Sequence, residues 1–468
     1  MDDAAAARGT RRALTAGLLL CIAAIAFEFM AVLAAMPAAV ADLGQPEVYA
    51  WAFTGFVIAQ TFTIVAAGQV SDRIGPVVPM VAGVVVFAVG LVCAAIAGSM
   101  ALLVLARFIQ GLGAGAINVS VMILVGLAYE PREQARVMTG FSIAWMVPTL
   151  VGPVLAAWLA QTWSWRWVFW SVLPLLLIAN ALVLVPLRRV QLPPPHPPAT
   201  GAVRPMVMAA MIAGGAALVQ WAGQHLEPLS LVWLVAGIAL LVWGLPTLMP
   251  AGYRPWAGGL SAVVTVRTLL SGAFYGAEAF LPLMLVTVVG LDLQVAALGV
   301  MAGSIGWSIG GWVQSRPWLR IRRDTIVVLG TVLTAAGVAA VAVGGFVAAT
   351  PLWLILAGWT LAGGGMGLAH TSTALAVMQI STPAALGRNT SSLQVGEALG
   401  NALLGGLAGT IYAVTLARPD LAFGLVMAAM VGLLLVAAVA AGRIGALQNH
   451  SVSLAEADAV ATGPADQR

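Results

Sequence analysis

The chain contains no lysine: its 21 basic residues are all arginine, set against 17 acidic ones. A phosphate-cradling P-loop needs a lysine, so a Walker-type nucleotide site is excluded and ATP hydrolysis by this polypeptide with it. Charge of either sign is scarce, at 8% of residues. The arginines are scattered and form no single patch, which argues against a nucleic-acid partner. Cysteine is nearly absent. Cys21 and Cys93 both lie inside apolar runs, where they read as core filler and not as a disulfide or metal pair. The few Ser and His residues sit at unrelated depths, so no hydrolase triad can be assembled. Neither an enzyme, a cofactor nor a metal site is expected.

What the chain has in abundance is hydrocarbon. Hydrophobic residues make up 61% of the 468 and the mean hydropathy is +1.00. Such a chain is a polytopic membrane protein. A spanning helix needs ~20 apolar residues, and fourteen runs qualify: roughly 13–42, 48–70, 76–98, 100–128, 134–161, 166–187, 205–223, 230–249, 260–289, 293–314, 324–347, 352–379, 386–415 and 420–445. The runs are continuous and do not alternate, which excludes a β-barrel. With the N-terminus in the cytoplasm, eighteen arginines, Arg267 among them, fall on the inner side or at inner helix ends. Arg166 and Arg418 fall outside and Arg107 is intramembrane. That bias predicts cytoplasmic termini. The first run is too long for a signal peptide and contains Glu28.

Two polar breaks divide the chain. Residues 1–190 are expected as a six-helix N-terminal half, 191–204 as a Pro-rich cytoplasmic linker, 205–258 as two extra central helices, 259–446 as a six-helix C-terminal half, and 447–468 as a polar tail. The halves look related. Gly113 and Gly115 recur as Gly365 and Gly367, and Pro131 and Arg136 as Pro383 and Arg388, at one constant separation. Duplicated halves with a site between them near mid-membrane are a recurring transporter plan.

Ionisable residues inside the apolar runs point to chemistry, because a charge at bilayer depth costs roughly 2.5–3.5 kcal/mol even on lenient scales. Glu28 lies ~24 Å along the first helix from Arg12, at a depth similar to that of Arg107 near the start of the fourth. Either they pair, or they share a water-filled cavity. Burial favours a neutral carboxyl and a nearby guanidinium favours a charged one. A carboxylate under both influences can exchange a proton as its surroundings change shape, so Glu28 and Arg107 are the candidate proton-coupling residues. The alternative is a static pair that locks two helices. Glu278, one turn after Tyr275 and shortly before Pro282, is a candidate contact for a cationic substrate. Thr390, Gln394, Glu397 and Asn401 share one helix face, which lines a pathway or glues helices. His370, amid Thr371, Ser372 and Thr373, reads as a packing histidine sooner than a proton carrier.

The loop Gly68–Gly75 resembles the Gly-x-x-x-Asp-Arg-x-Gly signature of the major facilitator superfamily. Arg107-Phe108-Ile109-Gln110-Gly111-Leu112-Gly113-Ala114-Gly115 resembles that superfamily's fourth-helix motif. Gly152-Pro153, Trp165-Arg166-Trp167-Val168-Phe169, and Glu28 with Pro37 are similar to motifs of the fourteen-helix drug:proton antiporters. Two departures stand out: Pro76 and Val77 replace the usual basic residues after Gly75, and Ala156-Ala157 replaces a glycine pair. The resemblance implies an all-α integral membrane fold, two six-helix halves plus two inserted helices. It makes Gly68, Asp72, Arg73 and Gly75 a conformational latch, and Gly111, Gly115, Gly152 and Pro153 helix-packing positions. Trp51, Trp145 and Trp307 fall in helices that line the cavity in relatives. It further implies a monomer in a bacterial inner membrane that exports amphipathic or cationic small molecules in exchange for protons. Export of an endogenous lipid is the rival, a nutrient symporter a weaker one, and a non-transporting receptor leaves the buried charges without a purpose.

Overall fold

The computed structural model describes residues 2–187, 203–225, 227–316, 318–347, 349–382 and 385–447. Most of the stretch expected as a Pro-rich linker, and the tail beyond 447, lie outside the described residues. Among the described residues the secondary structure is helical throughout, and fourteen helices are long and apolar enough to cross a membrane. In chain order they are α1 (Asp2–Leu43), α2 (Trp51–Ile74), α3 (Val77–Ala95), α4 (Met100–Ala128), α5 (Pro131–Thr162), α6 (Arg166–Leu187), α7 (Val203–Gln224), α8 (Ser230–Leu248), α9 (Leu260–Thr287), α10 (Leu293–Gln314), α11 (Arg323–Phe346), α12 (Leu352–Ile380), α13 (Leu386–Thr415) and α14 (Pro419–Ala441). Each of the fourteen apolar runs forms one of these helices.

The helices end where side chains can satisfy loose backbone groups. Ser99 accepts the Leu102 N–H at the start of α4, and Glu130 and Glu133 form a capping box at the start of α5. Gly75, at φ +85°, ends α2 in a conformation that disfavours a side chain. With fourteen crossings the start of α1 and the end of α14 share one side, here termed the terminal face; the other is the far face.

Packing repeats between two sets of six. α1 packs on α5 and α6, and α4 lies between α2 and α3; likewise α9 packs on α13 and α14, and α12 lies between α10 and α11. The repeated glycines explain the second pairing. A Cβ on Gly113 would strike α3 at Phe87, and one on Gly115 would stand 2.7 Å from the Gln60 carbonyl of α2. Their counterparts behave alike, Gly365 against α11 at Gly330 and Thr334, and Gly367 against α10 at Trp307 and Gly311. Small residues let backbones approach where no hydrophobic force acts between helices.

The two sets meet along α2–α13 and α5–α10. Near the far face they are sealed. The buried Tyr49 donates to the Ala279 carbonyl at 2.8 Å and packs on Phe280, which in turn packs on Tyr412. At the terminal face the ion pairs Arg11–Glu133 and Arg322–Asp324 each stay within one set. α7 rests on both α2 and α13, and α8 packs mainly on α7.

Candidate functional site

Sealed above and parted below, the two sets enclose a cavity of about 780 Å³. Met30, Met122, Phe141, Trp145 and Thr149 form its wall on the N-terminal side. Tyr275, Glu278, Ser304, Trp307, His370 and Glu397 face them from α9, α10, α12 and α13. Nearer the far face lies a void of about 30 Å³, lined by Phe29, Phe53, Thr54, Tyr275 and Asn401 among others, with room for about one water.

The charged part of the wall is a three-residue cluster. Arg267 Nε donates to Glu397 Oε2 at 2.9 Å. Its Nη1 donates to the His370 carbonyl and, at 2.7 Å, to Thr373 Oγ1. The other Glu397 oxygen lies 3.1 Å from His370 Nε2, and the His370 ring leans on Trp307. Both oxygens of Glu397 are therefore engaged, and a guanidinium balances its charge. Glu278 differs. It is 3% exposed, forms no ion pair among the described residues, and its Oε2 is buried without a hydrogen-bond partner. Aromatic rings share its wall: Phe274 and Tyr275 meet Trp307 edge-on or tilted, and Tyr275 reaches Phe29 across the divide between the sets.

Glu28 and Arg107 do pair, and both are fully buried. Arg107 also donates through Nε to the Ala52 carbonyl at 2.9 Å and through Nη1 to Gln110 Oε1 at 2.5 Å, and it lies over the Phe56 ring. The pair is not part of the cavity wall. Met30 is, and two residues turn a helix by roughly 200°, so Glu28 points away from the cavity toward α4. Glu28 Oε2 and Arg107 Nη2 are buried without partners. The repeat that carries Gly113 to Gly365 carries Arg107 to Trp359, which stacks on Phe274 of α9 at 5.0 Å. Where one set holds an ion pair, the other holds two rings.

Five of the sequence candidates, Trp145, Tyr275, Glu278, Trp307 and Glu397, come together on the cavity wall. Three do not. Trp51 donates its indole N–H to Gln224 of α7 at 2.6 Å, Gln394 is exposed away from the wall, and Asn401 lines the small void. Arg267 requires a correction. Grouped by position with the arginines at inner helix ends, it is in fact 5% exposed and bonded to Glu397. Its place eight residues into a 28-residue apolar helix was the available signal. His370, read as a packing residue, is bonded to Glu397 and lines the cavity; its sequence neighbours gave no hint, because the partner lies on another helix. Asp72 and Arg73 are exposed near the end of α2, beyond Gly68, and form no ion pair among the described residues. A Cβ on Gly111 would strike the Phe56 carbonyl, whereas Gly152 leaves 3.5 Å to Phe27. Gly152 and the buried Pro153 thus face a looser contact than the α2–α4 glycines do.

Comparison with known proteins places this geometry. A family model for the Major Facilitator Superfamily matches residues 18–339. An uncharacterized MFS-type transporter of Mycobacterium tuberculosis is 36% identical over 143 residues, 31% of this chain and 21% of the relative. The multidrug transporter protein MdtP of Bacillus subtilis is 28% identical over 36% of this chain and 31% of its own. A multidrug resistance protein B homolog of M. tuberculosis is 26% identical over 78% of this chain and 70% of its own. The chain thus spans only about a fifth to a third of the length of the first of these curated relatives. Among solved structures, a POT family transporter in complex with 5-aminolevulinic acid superposes with a TM-score of 0.70 at 13% identity, over 93% of this chain and 96% of that one. A mutant of the nucleoside transporter NupG gives 0.64 at 13% identity, over 93% and 99%. The chain belongs to the major facilitator superfamily.

Proposed function

We propose that this transporter exports amphipathic or cationic small molecules in exchange for protons, the two six-helix sets rocking about the cavity between them. The observation that carries the reading is a cavity sealed at one face and parted at the other, walled by methionines and aromatic rings, with Glu278 left without a counter-ion. Aromatic faces attract a lipophilic cation, and a buried carboxyl without a partner ionises once such a cation stands beside it. Relatives named for multidrug transport support the substrate class. We take the terminal face as cytoplasmic, since Arg11, Arg12, Arg73, Arg136, Arg320 and Arg443 gather there, and the protein as a monomer in a bacterial inner membrane.

In the state described, Glu28 is held by Arg107 and shut from the cavity. Protonating Glu28 removes the charge that holds Arg107 to α1 and loosens α1 from α4. The proton thereby acts on the relation between helices, while the substrate occupies the chamber beside them. Asp72 and Arg73 belong to a latch that is released while the terminal face is parted. Export of an endogenous lipid is the second reading, favoured by the methionine-rich wall.

The test is accumulation of a cationic dye by proteoliposomes holding the purified protein, with and without an imposed pH gradient. Accumulation that follows the gradient supports exchange with protons; accumulation indifferent to it overturns proton coupling.

A further inference from the structure

The two sets carry different charge at the terminal face. The sequence repeat sets Gly68-Gln69-Val70-Ser71-Asp72-Arg73, at the end of α2, against Gly311-Trp312-Val313-Gln314-Ser315-Arg316, at the end of α10. Where the first copy has Asp72, the second has Ser315. Past that point Arg316, Arg320, Arg322 and Arg323 crowd the short connection from α10 to α11. Asp324 is the only acidic residue between Gly311 and Thr325, and Arg322 already holds it at 2.7 Å. Arg320 is exposed, and neither it nor Arg316 forms an ion pair among the described residues. An outer stripe of α10 leads to this cluster. Ile305, Ile309 and Trp312 share a helix face and are 39–53% exposed. None of the three lines the cavity, so the stripe faces acyl chains. Arg316 closes it, its guanidinium 4.1 Å from the Trp312 ring centre and its Nε buried without a hydrogen-bond partner.

We propose that the α10–α11 connection is a headgroup site for an anionic phospholipid, its phosphate held by Arg316, Arg320 and Arg322 and one acyl chain laid along Ile305, Ile309 and Trp312. The chemistry of the patch fits that ligand. A guanidinium fork meets phosphate oxygens two at a time. Basic residues clustered beside a spanning helix draw anionic lipids out of the mixed leaflet. A tryptophan ring belongs at headgroup level, with its apolar body among the chains. The apolar stripe beneath the arginines singles out a lipid, because a free phosphate has no use for it. The matching connection of the N-terminal set offers no equal site, since Asp72 stands where a phosphate would have to approach. The site concerns the bilayer and not the cargo, so it does not rest on the export reading.

The experiment counts bound lipid and does not depend on transport. Full-length protein in detergent is titrated with phosphatidylglycerol, or with zwitterionic phosphatidylcholine carrying the same chains, and occupancy is read by native mass spectrometry. The parent should bind phosphatidylglycerol about tenfold more tightly than phosphatidylcholine. Arg316→Gln/Arg320→Gln should abolish most of that preference. Arg12→Gln/Arg73→Gln, which removes the same charge from the N-terminal set, should keep it. Arg316→Lys/Arg320→Lys retains the charge without the fork and should fall between parent and glutamine pair, which separates loss of the site from loss of the fold. Equal affinity for the two lipids in the parent would overturn the proposal. So would equal losses in the two glutamine pairs, which would mark a diffuse effect of charge. Inorganic phosphate competing as well as phosphatidylglycerol, mole for mole, would overturn the lipid and leave a site for a free anion.

Discussion

The N-terminal and C-terminal sets of helices follow one packing plan and treat charge in opposite ways. In the first, Glu28 and Arg107 are locked away beneath α2, against the Ala52 carbonyl and the Phe56 ring. In the second, the matching position is Trp359, stacked on Phe274. There the charge lies closer to the terminal face, at Arg267, His370 and Glu397, where it borders the cavity. The shared packing plan fixes where helices go and leaves each half its own surroundings for its ions. A sealed pair can respond only by breaking, whereas a pair beside a chamber can respond to whatever enters it. In the reading proposed above, one half houses the switch and the other the ligand.

Removing one arginine from each half should give the widest contrast. Arg107→Met strands Glu28 without water, and breaking a buried pair in this way costs ~3–5 kcal/mol. Arg267→Met leaves Glu397 with His370 and the cavity, so the loss should be half of that or less. Thermal unfolding in detergent measures both, and equal losses would erase the distinction between sealed and open charge. The double variant Glu28→Gln/Arg107→Met should regain most of the stability lost in Arg107→Met, because no unpaired charge remains.

Next in size are the repeated glycines. Gly115→Ala and Gly367→Ala should each cost ~1–3 kcal/mol from overpacking, with similar values marking the packing shared by the halves. Glu278→Gln should leave unfolding nearly unchanged, since no ion pair is broken. It should lower export of a cationic dye about tenfold, the weight of one charged contact, while a neutral amphiphile is spared. A loss of both would assign Glu278 to structure. Gly152→Ala should be the mildest, within about 0.5 kcal/mol, because ordinary contact distance already separates it from Phe27.

Much of this was legible in the chain. Span count follows from hydrocarbon length alone, whereas matched depth along two helices left Glu28 and Arg107 either to pair or to share a cavity, and the structure shows the pair. The glycine repeats pointed to related halves; which helices they let approach is seen only in the structure. What stayed hidden depends on how helices rotate against one another. Gln394 and Glu397 share a helix face, yet only Glu397 reaches the cavity. Trp51 is claimed by Gln224 of an inserted helix, whose docking site no local pattern encodes. Arg267 falls with the inner-end arginines by its place near the start of α9, yet its side chain turns inward to Glu397 and is 5% exposed.

Of all these tests, the most direct is dye accumulation in proteoliposomes under an imposed pH gradient, comparing the parent protein with Glu28→Gln. The account predicts that the parent concentrates dye while Glu28→Gln merely equilibrates it, with exchange still measurable in the absence of a gradient. Glu28→Gln concentrating dye as fully as the parent would contradict the claim that the sealed half carries the switch.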